Sequence, residues 1–155
     1  MAWMPLSISA ASGRIETLGN RIFFDTNPII YLLDDHPIYA DIVENFILQK
    51  KSSGYKLYTS VITSAEFLCK PIANREYDKL DTYNHFIERL GFYVSPITET
   101  IAYQSAQLRA KYKGLKLPDA LQLAAAIEHH CDAFLTNDER LMQVTEAHVL
   151  YLRNL

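Results

Sequence analysis

The stretch from Leu117 to Asp138 constrains the fold more than any other part of the chain. Leu117-Pro118-Asp119-Ala120-Leu121-Gln122-Leu123-Ala124-Ala125-Ala126-Ile127-Glu128 carries apolar residues at helical spacing, with Leu117, Leu121, Ala124 and Ile127 on one face. Its alanines allow close approach to a sheet, and Pro118 suits a first helical turn, where the missing N–H is no loss. Cys131-Asp132-Ala133-Phe134-Leu135-Thr136 then reads as a tight turn and a short buried strand. In an open α/β sheet a crossover helix runs antiparallel to its strands, so Asp119 at the helix start and Asp138 beyond the strand share one rim.

The rest of the chain repeats this alternation. Arg21-Ile22-Phe23-Phe24 has the apolar run of a strand covered on both faces. Asp25-Thr26-Asn27-Pro28 turns it into a helix, with Asn27 expected as N-cap and Pro28 as the first helical residue. A helix over Ile38 to Lys51, a strand over Lys56 to Ser60 and a helix opened by Ser60 or Thr63 follow. Further helices are expected over Asn74 to Leu90 and from a Thr98 cap to about Tyr112, with a strand over Gly91 to Pro96 between them. A short helix from Glu139 to Val144 and a strand from His148 to Leu152 close the chain. The pattern is that of an α/β domain, a parallel sheet of about five strands with helices on both faces. Residues 21–155 form that domain, and residues 1–20 read as a loosely held arm.

Composition excludes several classes of function. A formal charge of −3 rules out binding nucleic acid through a strongly basic overall field. No apolar run approaches the roughly 20 residues that span a bilayer, and the first residues make a poor secretory signal. Two cysteines, Cys69 and Cys131, fit reduced thiols in a cytoplasmic protein and are expected as small core residues.

Four acids from distant segments arrive at the same rim: Asp25, Glu66, Asp119 and Asp138. Singly, each has a structural reading. Asp25 can cap a turn, Thr63-x-x-Glu66 has capping-box spacing, Asp119 suits a helix dipole, and Asp138 can cap the Glu139 helix. Together they would repel and raise one another's pKa, a cost that a divalent cation removes. An all-oxygen donor set selects a hard ion, Mg²⁺ or Mn²⁺, and such an ion typically completes its coordination with a substrate phosphate. The chemistry implied is metal-assisted phosphodiester hydrolysis. Asp25 and Asp119 are expected on the rim rather than in the core, so amide substitution there should spare the fold.

From Arg21 to Leu152 the chain resembles the PIN-domain nucleases, and more narrowly the toxin ribonucleases of the bacterial VapBC type. The resemblance is carried by Phe24-Asp25-Thr26-Asn27, Ser64-Ala65-Glu66, Leu117-Pro118-Asp119-Ala120 and Leu135-Thr136-Asn137-Asp138, in that order and spacing. It implies a three-layer α/β/α domain with a parallel sheet in the order 3-2-1-4-5, and a Mg²⁺- or Mn²⁺-dependent endoribonuclease. It also implies that Asp25, Glu66, Asp119 and Asp138 line the metal site, with Asn27, Thr136 and Asn137 in support. A homodimer silenced by a cognate antitoxin is the partnership the resemblance implies. The alternatives are a catalytically silent PIN-like module that binds RNA or protein, and an acidic-site metal phosphoesterase acting on a small ester.

Arg109, Lys111, Lys113 and Lys116 lie just before Asp119; of these, Arg109, Lys113 and Lys116, together with Arg140, are candidate contacts to RNA phosphates. His129-His130-Cys131 is read as a solvated helix end, since neighbours on a helix point about 100° apart and cannot grip one ion.

Overall fold

The computed structural model describes residues 20–155; the amino-terminal arm falls outside them, apart from Asn20. Five strands form one parallel sheet: β1 (Arg21–Phe24), β2 (Lys56–Ser60), β3 (Tyr93–Ser95), β4 (Ala133–Thr136) and β5 (Val149–Tyr151). Their order is β3-β2-β1-β4-β5, as the resemblance implied. Ile22 pairs with Leu57 on one side and with Ala133 on the other. Six α-helices cover the sheet: α1 (Thr26–Leu33), α2 (Ala40–Ser52), α3 (Val61–Ala73), α4 (Tyr77–Leu90), α5 (Glu99–Lys111) and α6 (Leu117–Glu128). The segment after β4 is a 3-10 helix, Glu139–Gln143.

The two-residue period of the strands divides the core. Ile22, Phe24, Leu57 and Leu135 face the layer of α1, α2 and α4, where Phe24 meets Phe46 and Phe92 edge-on. Phe23 and Phe134 stack on the opposite face and pack against α5 and α6. Ala120, Leu123, Ala124, Ala125 and Ala126 are all buried, because α6 lies between the sheet and α5 and is covered nearly all round. Leu117, expected on the buried stripe, is exposed at the helix start.

Helix starts depart from expectation in one respect that matters for function. The N-cap of α1 is Asp25, whose side chain accepts from the Thr26 amide, so the helix begins two residues before Pro28 and Asn27 is exposed within its first turn. Ser60 caps α3 by accepting from the Ile62 amide, which removes the capping-box role from Thr63 and Glu66. Thr98 caps α5 as expected. Cys69 is exposed rather than a core residue. Cys131 is partly buried against the α5–α6 core, and burial pushes its thiol up to about 12. The helix end at His129 is not simply solvated either: its Nε2 lies 2.8 Å from Ser95 Oγ, and its ring packs on Tyr58 and Tyr93.

Candidate active site

The strand order reverses between β1 and β4, since the chain builds outward from β1 through β2 to β3 and then returns to lay β4 on its other side. The crevice outside the carboxyl ends of the strands at such a switch point is where open α/β sheets bind ligands. Asp25 follows β1 directly and its amide donates to the carbonyl of Leu135 in β4. Asp138 stands two residues beyond β4, Asp119 lies in the first turn of α6, and Glu66 lies in the second turn of α3.

Asp25 is 5% exposed, so it is a buried acid rather than the rim residue expected from sequence. Its Oδ1 accepts from the Thr26 amide at 2.9 Å and its Oδ2 from Thr136 Oγ1 at 2.8 Å. Both oxygens accepting is an arrangement suited to the ionised form. Burial opposes it, and with smaller contributions from Asp119 and Glu66 raises the carboxyl from 3.8 to about 7. Hydrogen bonding and burial thus pull in opposite directions, a conflict that a cation would resolve. Asp119, half-buried, is also raised, by burial first and then by Asp138 and Glu66.

Glu66 is held by a buried polar network. Thr26 Oγ1 donates to Glu66 Oε1 at 2.7 Å. Gln122, fully buried on α6, donates through Nε2 to Thr26 Oγ1 and Thr63 Oγ1, and its Oε1 accepts from Ser60 Oγ. One side chain therefore ties α6 to the start of α1, the end of β2 and the first turn of α3. Sequence reasoning missed Thr26, Thr63 and Gln122. The signal for Gln122 was present as a polar residue inside the apolar run Ala120 to Ala126.

Asp138 is treated differently. It caps the 3-10 helix through the Arg140 amide, and the Arg140 guanidinium grips both its oxygens, Nε to Oδ1 at 2.9 Å and Nη2 to Oδ2 at 2.6 Å. That pair holds the Asp138 carboxyl below its ordinary range, although burial pulls the other way. Arg140, a candidate RNA contact, thus has a carboxylate partner within the chain. Among the other candidates, Thr136 supports Asp25 and also accepts from the Asp138 amide at 3.0 Å. Asn137 donates to Tyr31 Oη at 2.9 Å and, among the described residues, leaves its own Oδ1 buried without a partner. Lys116 is exposed and acts electrostatically on both Asp119 and Asp138. Lys113 is exposed, and Arg109 Nε approaches the Leu115 carbonyl at 3.4 Å, bracing the loop before α6.

Among the described residues no three His, Cys, Asp or Glu side chains stand close enough together to hold an ion as they are. The donor set nevertheless fits a hard divalent cation: it is all carboxylate, its buried member is pushed toward neutrality, and Asp138 already carries a cationic group.

The PIN domain family model matches residues 22–147, and the chain belongs to that family. No curated protein matches it. Its fold is similar to that of three solved structures in particular. VapBC2 from Rickettsia felis, bound to a DNA fragment from its promoter, is 20% identical with a TM-score of 0.67 over 84% of this chain and 98% of that one. A toxin-antitoxin complex from Klebsiella pneumoniae is 24% identical with a TM-score of 0.62, over 84% and 97%. FitAcB from Neisseria gonorrhoeae is 22% identical with a TM-score of 0.65, over 86% and 99%.

Proposed function

We propose that this chain is a divalent-metal-dependent endoribonuclease that hydrolyses RNA phosphodiester bonds, and that it is the toxin of a toxin-antitoxin pair. The observation that carries the reading is that Asp25, at the switch point of a PIN domain, is buried yet bonded as a carboxylate and lies within electrostatic reach of Asp119 and Glu66, as Asp119 does of Asp138. The toxin-antitoxin half of the reading is supported by the partners named for the structures it resembles. In this reading a cognate antitoxin covers the acidic rim, the chain pairs as a homodimer, and it works in the cytoplasm. Among the described residues no helix is long and apolar enough to cross a membrane.

Asp25, Glu66, Asp119 and Asp138 would hold the cation, Mg²⁺ or Mn²⁺. When bound, it supplies a Lewis acid for the phosphodiester and a water of lowered pKa. Thr26 and Thr136 orient the acids from behind, and Asn137 braces the end of β4 against α1 through Tyr31. Lys116 offers a charge to the RNA backbone beside the acids, while Arg109 and Lys113 extend that basic surface away from them.

Cleavage of a long RNA and of a small chromogenic phosphodiester, each with Mg²⁺, with Mn²⁺ and with chelator, tests this. The expected result is cleavage of RNA alone, dependent on metal, and reduced more than about 100-fold in Asp119→Asn, since loss of even a supporting group at a metal site costs about 10–100-fold. RNA cleavage by Asp119→Asn at the parent rate would overturn the site. RNA binding without cleavage by the parent would establish the silent binding module, and turnover of the small ester would establish the phosphoesterase.

A further inference from the structure

We infer that Arg140 is a built-in competitor for the metal: its guanidinium occupies Asp138 in the metal-free protein, and binding of a divalent ion and release of Arg140 are coupled. The inference rests on the reading of Asp138 as a ligand. Its own support is geometric. Arg140 meets Asp138 three times, through its amide at 3.0 Å, through Nε at 2.9 Å and through Nη2 at 2.6 Å. The two side-chain contacts form a fork that engages both carboxylate oxygens. Those are the atoms an ion would need.

The two groups are unequally placed. The Asp138 side chain is 20% exposed, and that of Arg140 is 68% exposed, so the guanidinium can swing into solvent without unpacking anything. Its backbone stays fixed by the 3-10 helix that Asp138 caps, so the released side chain remains within reach of the site. The charge of Arg140 also acts on Asp119, so the guanidinium lies within electrostatic reach of two of the acids.

Coupling of this kind is reciprocal: a residue that weakens metal binding is itself displaced by metal, and becomes free to take a substrate phosphate. The size follows from occupancy. A guanidinium that holds Asp138 about two-thirds of the time weakens apparent metal affinity about threefold.

Mn²⁺ binding to the whole chain, measured by calorimetry without RNA, tests the coupling. Arg140→Ala is expected to tighten Mn²⁺ about threefold, and to give no such gain when combined with Asp138→Asn. Lys116→Ala removes one nearby charge without vacating a carboxylate, and is expected to change affinity by much less. In the parent, the Arg140 Nε–H resonance is expected to lose its protection from solvent exchange as Mg²⁺ is added. Equal Mn²⁺ affinity in parent and Arg140→Ala, with both abolished by Asp119→Asn, would overturn the coupling and leave the nuclease reading standing. An equal gain in Lys116→Ala would overturn it too, by showing a general field effect. Absence of Mn²⁺ binding and of RNA cleavage in parent and Arg140→Ala alike would overturn both readings.

Discussion

Asp25 and Asp138 stand beyond the carboxyl ends of neighbouring strands, but the fold treats them oppositely. Asp25 is sealed behind the end of β1, with only an amide and a hydroxyl to stabilise its charge, and is driven up to about 7. Asp138 lies nearer the surface, clasped by an arginine two residues away, and is driven down. Among the described residues no positive charge accompanies Asp25, so burial raises it; a local cation lowers Asp138. A site built this way holds one carboxylate that lacks a counter-ion and one that already has a replaceable one. Thr136 joins the two, donating to Asp25 and accepting from the Asp138 amide.

The difference is sharpest in how stability depends on pH, and there the largest effect is expected. Asp25 has a native value above its ordinary 3.8, so the folded protein holds its proton between about pH 4 and 7. Its contribution to stability is full below about pH 4 and is lost as pH rises through about 7. The shift corresponds to on the order of 4 kcal/mol. Thermal unfolding of the metal-free parent should show stability falling across that window, and Asp25→Asn should flatten the profile while abolishing metal-dependent RNA cleavage. A parent profile as flat as that of Asp25→Asn would mean that Asp25 is ionised without help, and the contrast with Asp138 would fail.

Thr136→Val cuts the connection between the two acids. The substitution keeps shape but removes a fully buried hydroxyl, leaving Asp25 Oδ2 without its donor and the Asp138 amide without its acceptor. An unsatisfied buried polar group costs about 1–3 kcal/mol. Because Thr136 lowers the Asp25 carboxyl, its loss should also move the midpoint of the pH-dependent decline above that of the parent. Denaturant unfolding at several pH values measures both. A destabilised protein with an unmoved midpoint would make Thr136 a packing residue only.

The elements that carry this contrast differed in how visible they were beforehand. The alternation of strands and helices and the rim shared by the acids follow from periodicity and from the way crossover helices run against a parallel sheet, whereas the strand order was legible only through the resemblance to the PIN-domain nucleases. Asp138 as a cap could be read from its place before Glu139-Arg140. The depth of Asp25 could not, because Asp25-Thr26-Asn27-Pro28 offers two caps, and which one is used depends on Thr136 and Leu135 arriving from a strand far along the chain. The surroundings of Glu66 were hidden for a related reason. Thr63-x-x-Glu66 has the spacing of a local cap, but Ser60 caps the helix and Thr63 is drawn into the buried network around Gln122. Local spacing identifies what a side chain is able to bond; long-range topology decides between partners of similar strength.

Asp138→Asn gives the smallest expected change in stability and the clearest separation of fold from function. Asparagine caps about as well as aspartate, so the 3-10 helix keeps its start. The ion pair with Arg140 reaches solvent, where such pairs contribute little. Near pH 7 the variant should unfold within about 0.5 kcal/mol of the parent, as surface substitutions usually do. In acid the two should converge, because the native value of Asp138 is lowered: its contribution is present above the ordinary carboxylate range and is lost as pH falls below it, opposite in sign to Asp25. Metal-dependent RNA cleavage should nonetheless fall more than about tenfold, since the acid would be missing where an ion needs it. A variant that unfolds like the parent and cleaves like it would leave Asp138 a cap and nothing more, with the ion held by Asp25, Glu66 and Asp119 alone.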